Sequence, residues 1–148
     1  MIIENARAGM LSNFEVLRLL EEQQEKQKAA QDNPNGIGVP ENLRTVQFEL
    51  TDYLKGTPSS TQDEQQVKDF VEAMNSYELT LAEKLQLLNL RPKSAVEIYL
   101  LIEECEERFS EDQLEEMLQT VLSVLPRDDD YEMEEGYEEE EGGEEDQA

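Results

Sequence analysis

Histidine and tryptophan are absent from this 148-residue chain, and cysteine occurs once, as Cys105. A single cysteine rules out an intramolecular disulfide, and a lone thiol suits a reducing cytosol or nucleus. Zinc sites built from cysteine and histidine are excluded as well. Basic side chains are scarce: 12 Lys and Arg stand against 37 Asp and Glu, for a formal net charge of −25. Nucleic-acid affinity comes largely from Lys and Arg displacing counterions, so direct DNA or RNA binding is not expected. The bases do not cluster into an import signal; Arg91 and Lys93, with Lys84 nearby, come closest, and scattered charges of this kind read as ordinary surface residues. No apolar run approaches the ~20 residues of a membrane span. The opening Met1-Ile2-Ile3-Glu4-Asn5 lacks the basic and apolar regions of a signal peptide, so no membrane or secretory role is expected.

The acid is unevenly spread. Of the 37 acids, 13 lie in residues 128–148, where there is no base, which leaves 24 acids and 12 bases in residues 1–127. The stretch from Asp128 to Ala148 is low-complexity acid with glycine; it cannot bury a core and is expected to be a disordered, solvating tail. Tyr131, Met133 and Tyr137 within it leave room for a weak contact with a basic partner. An EF-hand is not expected there, because the alternating ligands and central glycine are missing.

What the chain does have is helix starts. Ser12 with Glu15, Thr61 with Glu64, Thr80 with Glu83, Ser94 with Glu97 and Ser110 with Gln113 all have the spacing of a capping box, and each precedes apolar residues. In such a box the hydroxyl accepts from a first-turn N–H while the acid or amide reaches back to the cap's own N–H. The fold class is therefore all-α, a helical bundle, with a short N-terminal strand at Met1-Ile2-Ile3 as a possible addition. The first helix begins after Ser12 and carries apolar residues almost all round in its first turns: Phe14, Val16, Leu17, Leu19 and Leu20. A surface helix needs only one stripe, so this excess predicts enclosure on several sides, part of it by another chain. Its second half, Glu21–Gln31, is polar and is expected to extend into solvent with Glu22–Lys26 at i,i+4. Residues 31–40 hold Asn33-Pro34, Asn35-Gly36 and Gly38 and read as a loop. A second helix spans about Glu41–Lys55, with Leu43, Val46, Leu50, Tyr53 and Leu54 on one stripe and Phe48 off it. A third runs from Thr61 to about Ser76 and a fourth from Leu81 to Leu88, ended by Arg91-Pro92. A fifth spans Ala95 to about Arg108, apolar nearly all round at first, as suits the centre of a bundle. The sixth, Glu111–Leu125, is cleanly amphipathic.

Nothing in these elements has the form of a catalytic, cofactor-binding or metal centre. Glu103, Glu104, Glu106 and Glu107 share the outer face of the fifth helix and read as solvated. Cys105 falls on the side of Ile98, Ile102 and Phe109, as a buried, inert thiol would. Gly36-Ile37-Gly38 lacks the lysine and preceding strand of a phosphate loop. The chain reads as a binding subunit and not an enzyme.

Three stretches carry a likeness to a known family. They are Leu11-Ser12-Asn13-Phe14-Glu15-Val16-Leu17, then Leu81-Ala82-Glu83-Lys84-Leu85-Gln86-Leu87-Leu88-Asn89-Leu90-Arg91-Pro92 continued by Ala95-Val96-Glu97-Ile98-Tyr99, and Ile102-Glu103-Glu104-Cys105-Glu106-Glu107-Arg108-Phe109. The chain resembles the small stalk subunits of eukaryotic RNA polymerase III, also called the calcitonin-gene-related-peptide receptor component family, over roughly Met1–Leu125. That resemblance implies an N-terminal part, residues 1–60, which associates with a larger stalk subunit bearing an OB-type barrel. It implies a second part, residues 61–127, with the fold of helicase and RNase D C-terminal (HRDC) domains, followed by the tail at 128–148. It further implies a nuclear, non-catalytic subunit that sits on the polymerase III core and helps recruit initiation factors to tRNA and other small-RNA genes. Leu11, Phe14 and Leu17 lie in the matching motif; with Val16, Leu19, Leu20 and, from helix geometry alone, Phe48, they are the expected partner-binding residues. Nucleic-acid binding by some HRDC domains does not transfer with the fold. The rival readings are a receptor accessory protein in peptide-hormone signalling, which has no membrane-contacting element to support it, and an acidic-tailed chaperone or adaptor for basic proteins.

Overall fold

A computed structural model describes Ile2, Glu4, Asn5 and residues 8–31 and 38–128. Among these residues there are seven α-helices and no strand: α1 (Asn13–Gln31), α2 (Glu41–Lys55), α3 (Glu64–Met74), α4 (Leu81–Leu90), α5 (Ala95–Leu101), α6 (Cys105–Arg108) and α7 (Glu111–Val124), with a 3-10 helix at Pro58–Thr61 between α2 and α3. The expected N-terminal strand, most of the loop at 31–40 and nearly all of the acidic tail fall outside the described residues.

Most of the caps form as their chemistry dictates. The Ser12 hydroxyl accepts from Glu15 N–H, and Glu15 accepts from Ser12 N–H at 2.7 Å. Full boxes likewise open α4 at Thr80–Glu83 and α7 at Ser110–Gln113. At α5 the Ser94 hydroxyl accepts from Glu97 N–H, but the Glu97 carboxylate accepts from Lys93 N–H, one residue earlier than a capping box requires. The start of α3 differs from expectation. Pro58 winds the chain into the 3-10 turn, Thr61 donates its hydroxyl to Pro58 C=O, and Asp63 caps the helix in a box with Gln66. Glu64, the expected partner of Thr61, instead receives Lys68 at 2.7 Å.

The larger discrepancy is the fifth helix, which does not run through to Arg108. It stops at Leu101, and the chain turns through Glu104 in the left-handed region (φ 51°) before the single turn of α6. The break lets the Glu103 backbone join an ion pair. Glu103 N–H donates to the Glu83 carboxylate at 3.3 Å, and Glu103 C=O accepts from Arg108 at 2.9 Å. Nor is α5 central to the bundle: Ile98 is buried, while Val96 and Leu100 are 68% and 81% exposed. That place belongs to α7, whose Leu114, Met117 and Val121 are fully enclosed.

The main core joins α3, α4, α5, α6 and α7 through Phe70, Met74, Leu87, Ile98, Ile102, Cys105, Phe109 and the buried face of α7. Cys105 is buried there beside Ile98, Ile102 and Phe109, as its spacing suggests, and burial pushes its thiol above the ordinary range. A second, smaller cluster joins α1 and α2 through Leu17, Leu20 and Leu54, flanked by Val16 and Leu50. The carboxyl end of α4 ties these parts together. Gln62 donates to Leu88 C=O at 2.8 Å, and Asn13 N–H donates to the Asn89 side chain at 2.9 Å. The Arg91 guanidinium donates to Leu125 C=O at the end of α7. Arg91 is thus a buried C-cap in the left-handed conformation, not the surface cation the sequence suggests.

Candidate partner-binding surface

The α1–α2 hairpin is built unusually. Beside the Leu17–Leu20–Leu54 cluster its inner side is polar: Gln24 donates to Thr51 at 3.1 Å and Gln47 donates to Gln23 at 3.3 Å. Gln47 and Thr51 are buried together with Leu54, one helical turn apart, and Thr51 also donates to Gln47 C=O. The polar second half of α1 therefore lies on α2 rather than extending into solvent alone, with Lys26–Glu22 at 2.6 Å on its outer side. Of the apolar side chains of α2, Leu54 is buried and Leu50 half-buried, and the others are left outside. Val46 is 59% exposed, Phe48 70% and Tyr53 67%, and Leu43 is exposed as well. At 100° per residue, Val46, Leu50 and Tyr53 lie along one flank of the buried face and Phe48 along the other.

The expected partner-binding residues divide by burial. Phe14, Leu17 and Leu20 are buried within this chain, Leu17 and Leu20 in the cluster with Leu54 of α2, and Val16 is half-buried against that cluster. Leu11, Leu19 and Phe48 are exposed. Leu19 lines a groove of about 630 Å³ between α1 and the start of α3, with the edge of Phe14, Arg18, Glu64, Val67 and Lys68. Arg18 stands over the Phe14 ring at 5.5 Å and close to Glu21. Phe48 lies elsewhere, beside a shallower cleft with Gln24, Lys28 and Arg44. Met10, Val46 and Tyr53 extend the exposed apolar surface beyond the residues that sequence reasoning singled out. The signal was present in the α2 stripe, but a stripe does not say whether the protein itself covers it.

Chemistry of other kinds is sparse. Among the described residues, no group of acid or thiol side chains is placed to hold a metal ion, and no helix is long and apolar enough to cross a membrane. The most strongly perturbed carboxylate is Glu83, held down to about 2 chiefly by its hydrogen bond from Arg108 and further by Thr80, against the opposing effect of burial. Arg108 Nη1 lies 2.7 Å from Glu83 Oε1, while its Nη2 reaches Glu83 Oε2 and, at 2.6 Å, Glu78 C=O. Every one of these partners is structural: the pair closes the α4–α6 junction.

An all-helical chain that buries polar groups inside a hairpin and turns apolar ones outward has the construction of an assembly component. Residues 10–125 match the family model described as RNA polymerase Rpb4, and the chain belongs to that family. It is similar to "DNA-directed RNA polymerase III subunit rpc9" of Schizosaccharomyces pombe, 34% identical over 129 residues, which span 85% of this chain and 100% of the relative. A protein of the same name from Dictyostelium discoideum is 31% identical over 115 residues, 72% of this chain and 78% of the relative. The Saccharomyces cerevisiae protein so named is 37% identical over a shorter stretch, 62 residues, or 42% of this chain and 38% of the relative.

Proposed function

We propose that the chain is a non-catalytic stalk subunit of RNA polymerase III, acting in the nucleus. It pairs with the larger, OB-barrel stalk subunit, attaches through it to the polymerase core, and helps recruit initiation factors to tRNA and other small-RNA genes. The observation that carries the pairing is the outward-facing apolar surface of the α1–α2 hairpin. Leu11 just ahead of α1, Leu19 on α1, and Val46, Phe48 and Tyr53 on α2 are exposed, while part of the contact between the two helices is made by glutamine and threonine. Free water penalises such a surface by roughly 25 cal/mol per Å² of apolar area, and a partner relieves that cost. Phe14, Leu17, Leu20 and Val16 act from behind, fixing the angle at which the exposed residues are presented. On this reading residues 1–60 form the partner-associating part and residues 61–127 an HRDC-like domain, in keeping with the two hydrophobic clusters. The tail at 128–148 is not required for assembly.

Co-expression with the larger stalk subunit tests the pairing. Leu19→Asp combined with Phe48→Asp is expected to cut co-purification by at least tenfold while lowering the melting temperature of the free chain only slightly, because Phe48 is 70% and Leu19 45% exposed there. Partner recovery at wild-type yield from the double variant refutes this surface as the interface.

A further inference from the structure

A second apolar surface lies on the larger core and is lined by no residue of the α1–α2 hairpin. Leu90 at the end of α4, Pro92, and Leu100 and Leu101 on α5 line a groove of about 280 Å³, with Glu97 as its polar wall. Val96 stands one turn before Leu100 on the same helix. Leu90, Val96 and Leu100 are 56%, 68% and 81% exposed. These side chains contribute little to the fold, since α5 is anchored through Ile98. Leu90, Val96 and Leu100, so exposed on a seven-residue helix and its neighbour, form with the half-buried Leu101 an apolar patch of the kind that marks interaction sites.

We propose that this groove receives a short amphipathic helix from another protein, with leucine-like residues on one face and flanking Lys or Arg. Charge selects that occupant. Glu97 lines the groove, Glu103 and Glu104 are exposed just beyond α5, and Lys93 stands at the α5 amino terminus. The surrounding chain is strongly acidic, with 24 acids to 12 bases in residues 1–127. A second copy of the chain would bring the same −25 charge to the contact, and residues 128–148 would bring 13 acids and no base. Both are repelled where a basic segment is attracted. The shape favours a helix: the described residues offer no sheet edge for a strand to extend, whereas Leu100 and Leu90 in the groove, with Val96 at i−4 from Leu100, match the anchors of helix-in-groove recognition. The inference concerns the α4–α5 surface alone and stands whether or not the chain pairs through α1 and α2.

The test is a titration of the full-length chain, carrying labelled methyl groups, with three synthetic helices. One alternates Leu and Lys amphipathically, a second keeps the Lys but replaces the Leu by Gln, and a third replaces the Lys by Glu. The Leu/Lys helix is expected to shift the methyl signals of Leu90, Val96, Leu100 and Leu101, and the other two are not. Leu100→Ser, at a position too exposed to affect folding, is expected to weaken binding about tenfold, and Val96→Ser provides an independent check. Three results overturn the proposal. The first is a response to the Gln-substituted helix as strong as to the Leu/Lys helix, which reduces the effect to charge alone. The second is equal binding of the Glu-substituted helix. The third is concentration-dependent dimerisation abolished by Leu100→Ser, which makes a second copy the occupant.

Discussion

Glu83 shows how one side chain can govern a junction. It closes the capping box of α4 through Thr80, receives Arg108 across the α4–α6 gap, and accepts from Glu103 N–H in the intervening turn. Its folded pKa of about 2 lies well below the ordinary 4.5. A depressed carboxylate stabilises the fold in full above its unfolded pKa and loses that contribution as the pH falls through the folded value. The pair should therefore contribute on the order of 2–3 kcal/mol at neutral pH, falling off between about 4.5 and about 2. Thermal melts of the wild type and Glu83→Gln are expected to differ most near neutrality and to converge toward the acid end; a constant gap across that range contradicts the assignment. Glu104 pays for the same junction with its backbone, since φ of 51° is strained for any residue with a Cβ. Glu104 is exposed and makes no capping hydrogen bond with its side chain. Glu104→Gly is expected to stabilise the chain by about 0.5–1 kcal/mol in denaturant unfolding. A destabilisation would mean that the carboxylate has a role the geometry does not show.

At the scale of the element, sequence and structure part company in several places, each for a physical reason. The starts of α1, α4 and α7 were legible because a capping box is local chemistry: a hydroxyl and an acid or amide three residues apart act on their own backbone. The end of α5 was not, because Ile102-Glu103-Glu104-Cys105 contains neither glycine nor proline. What turns the chain there is the Glu83–Arg108 pair, drawn from residues 25 apart in sequence. The stripe on α2 was visible too, but periodicity identifies an apolar face without saying what covers it. The protein packs Gln47, Thr51 and Leu54 inward and leaves Val46 and Tyr53 in water. The excess of apolar residues on α1 was likewise legible, though three of them, Phe14, Leu17 and Leu20, are satisfied within the chain. This arrangement separates two kinds of substitution on one helix. Val46→Ser with Tyr53→Ser is expected to change the stability of the free chain by no more than about 0.5 kcal/mol, while reducing capture of the larger stalk subunit several-fold. Equal loss of stability and of capture would show that the flank is part of the chain's own packing.

Over the whole molecule, the question is whether the two hydrophobic clusters unfold together. They share no buried side chain. Their described links at the carboxyl end of α4 are hydrogen bonds: Gln62 to Leu88 C=O, and Asn13 N–H to Asn89. Each contributes about 1 kcal/mol net. Truncating Leu54, which is 2% exposed at the centre of the smaller cluster, removes about 2–4 kcal/mol from that cluster alone. The local loss exceeds what these two hydrogen bonds contribute, so the hairpin should open before the rest. In Leu54→Ala, amides of α1 and α2 are expected to exchange with solvent at least tenfold faster, while those of Leu114–Val121 in α7 keep their protection. Uniform acceleration in all helices would show one cooperative unit and remove the energetic basis for treating the hairpin as separate. Separate opening also has a functional consequence. A hairpin weakened at Leu54 and apolar on its outer side gains order from whatever covers it, so binding the larger stalk subunit should restore α1–α2 protection in Leu54→Ala, with the bound complex exchanging as slowly as the wild type.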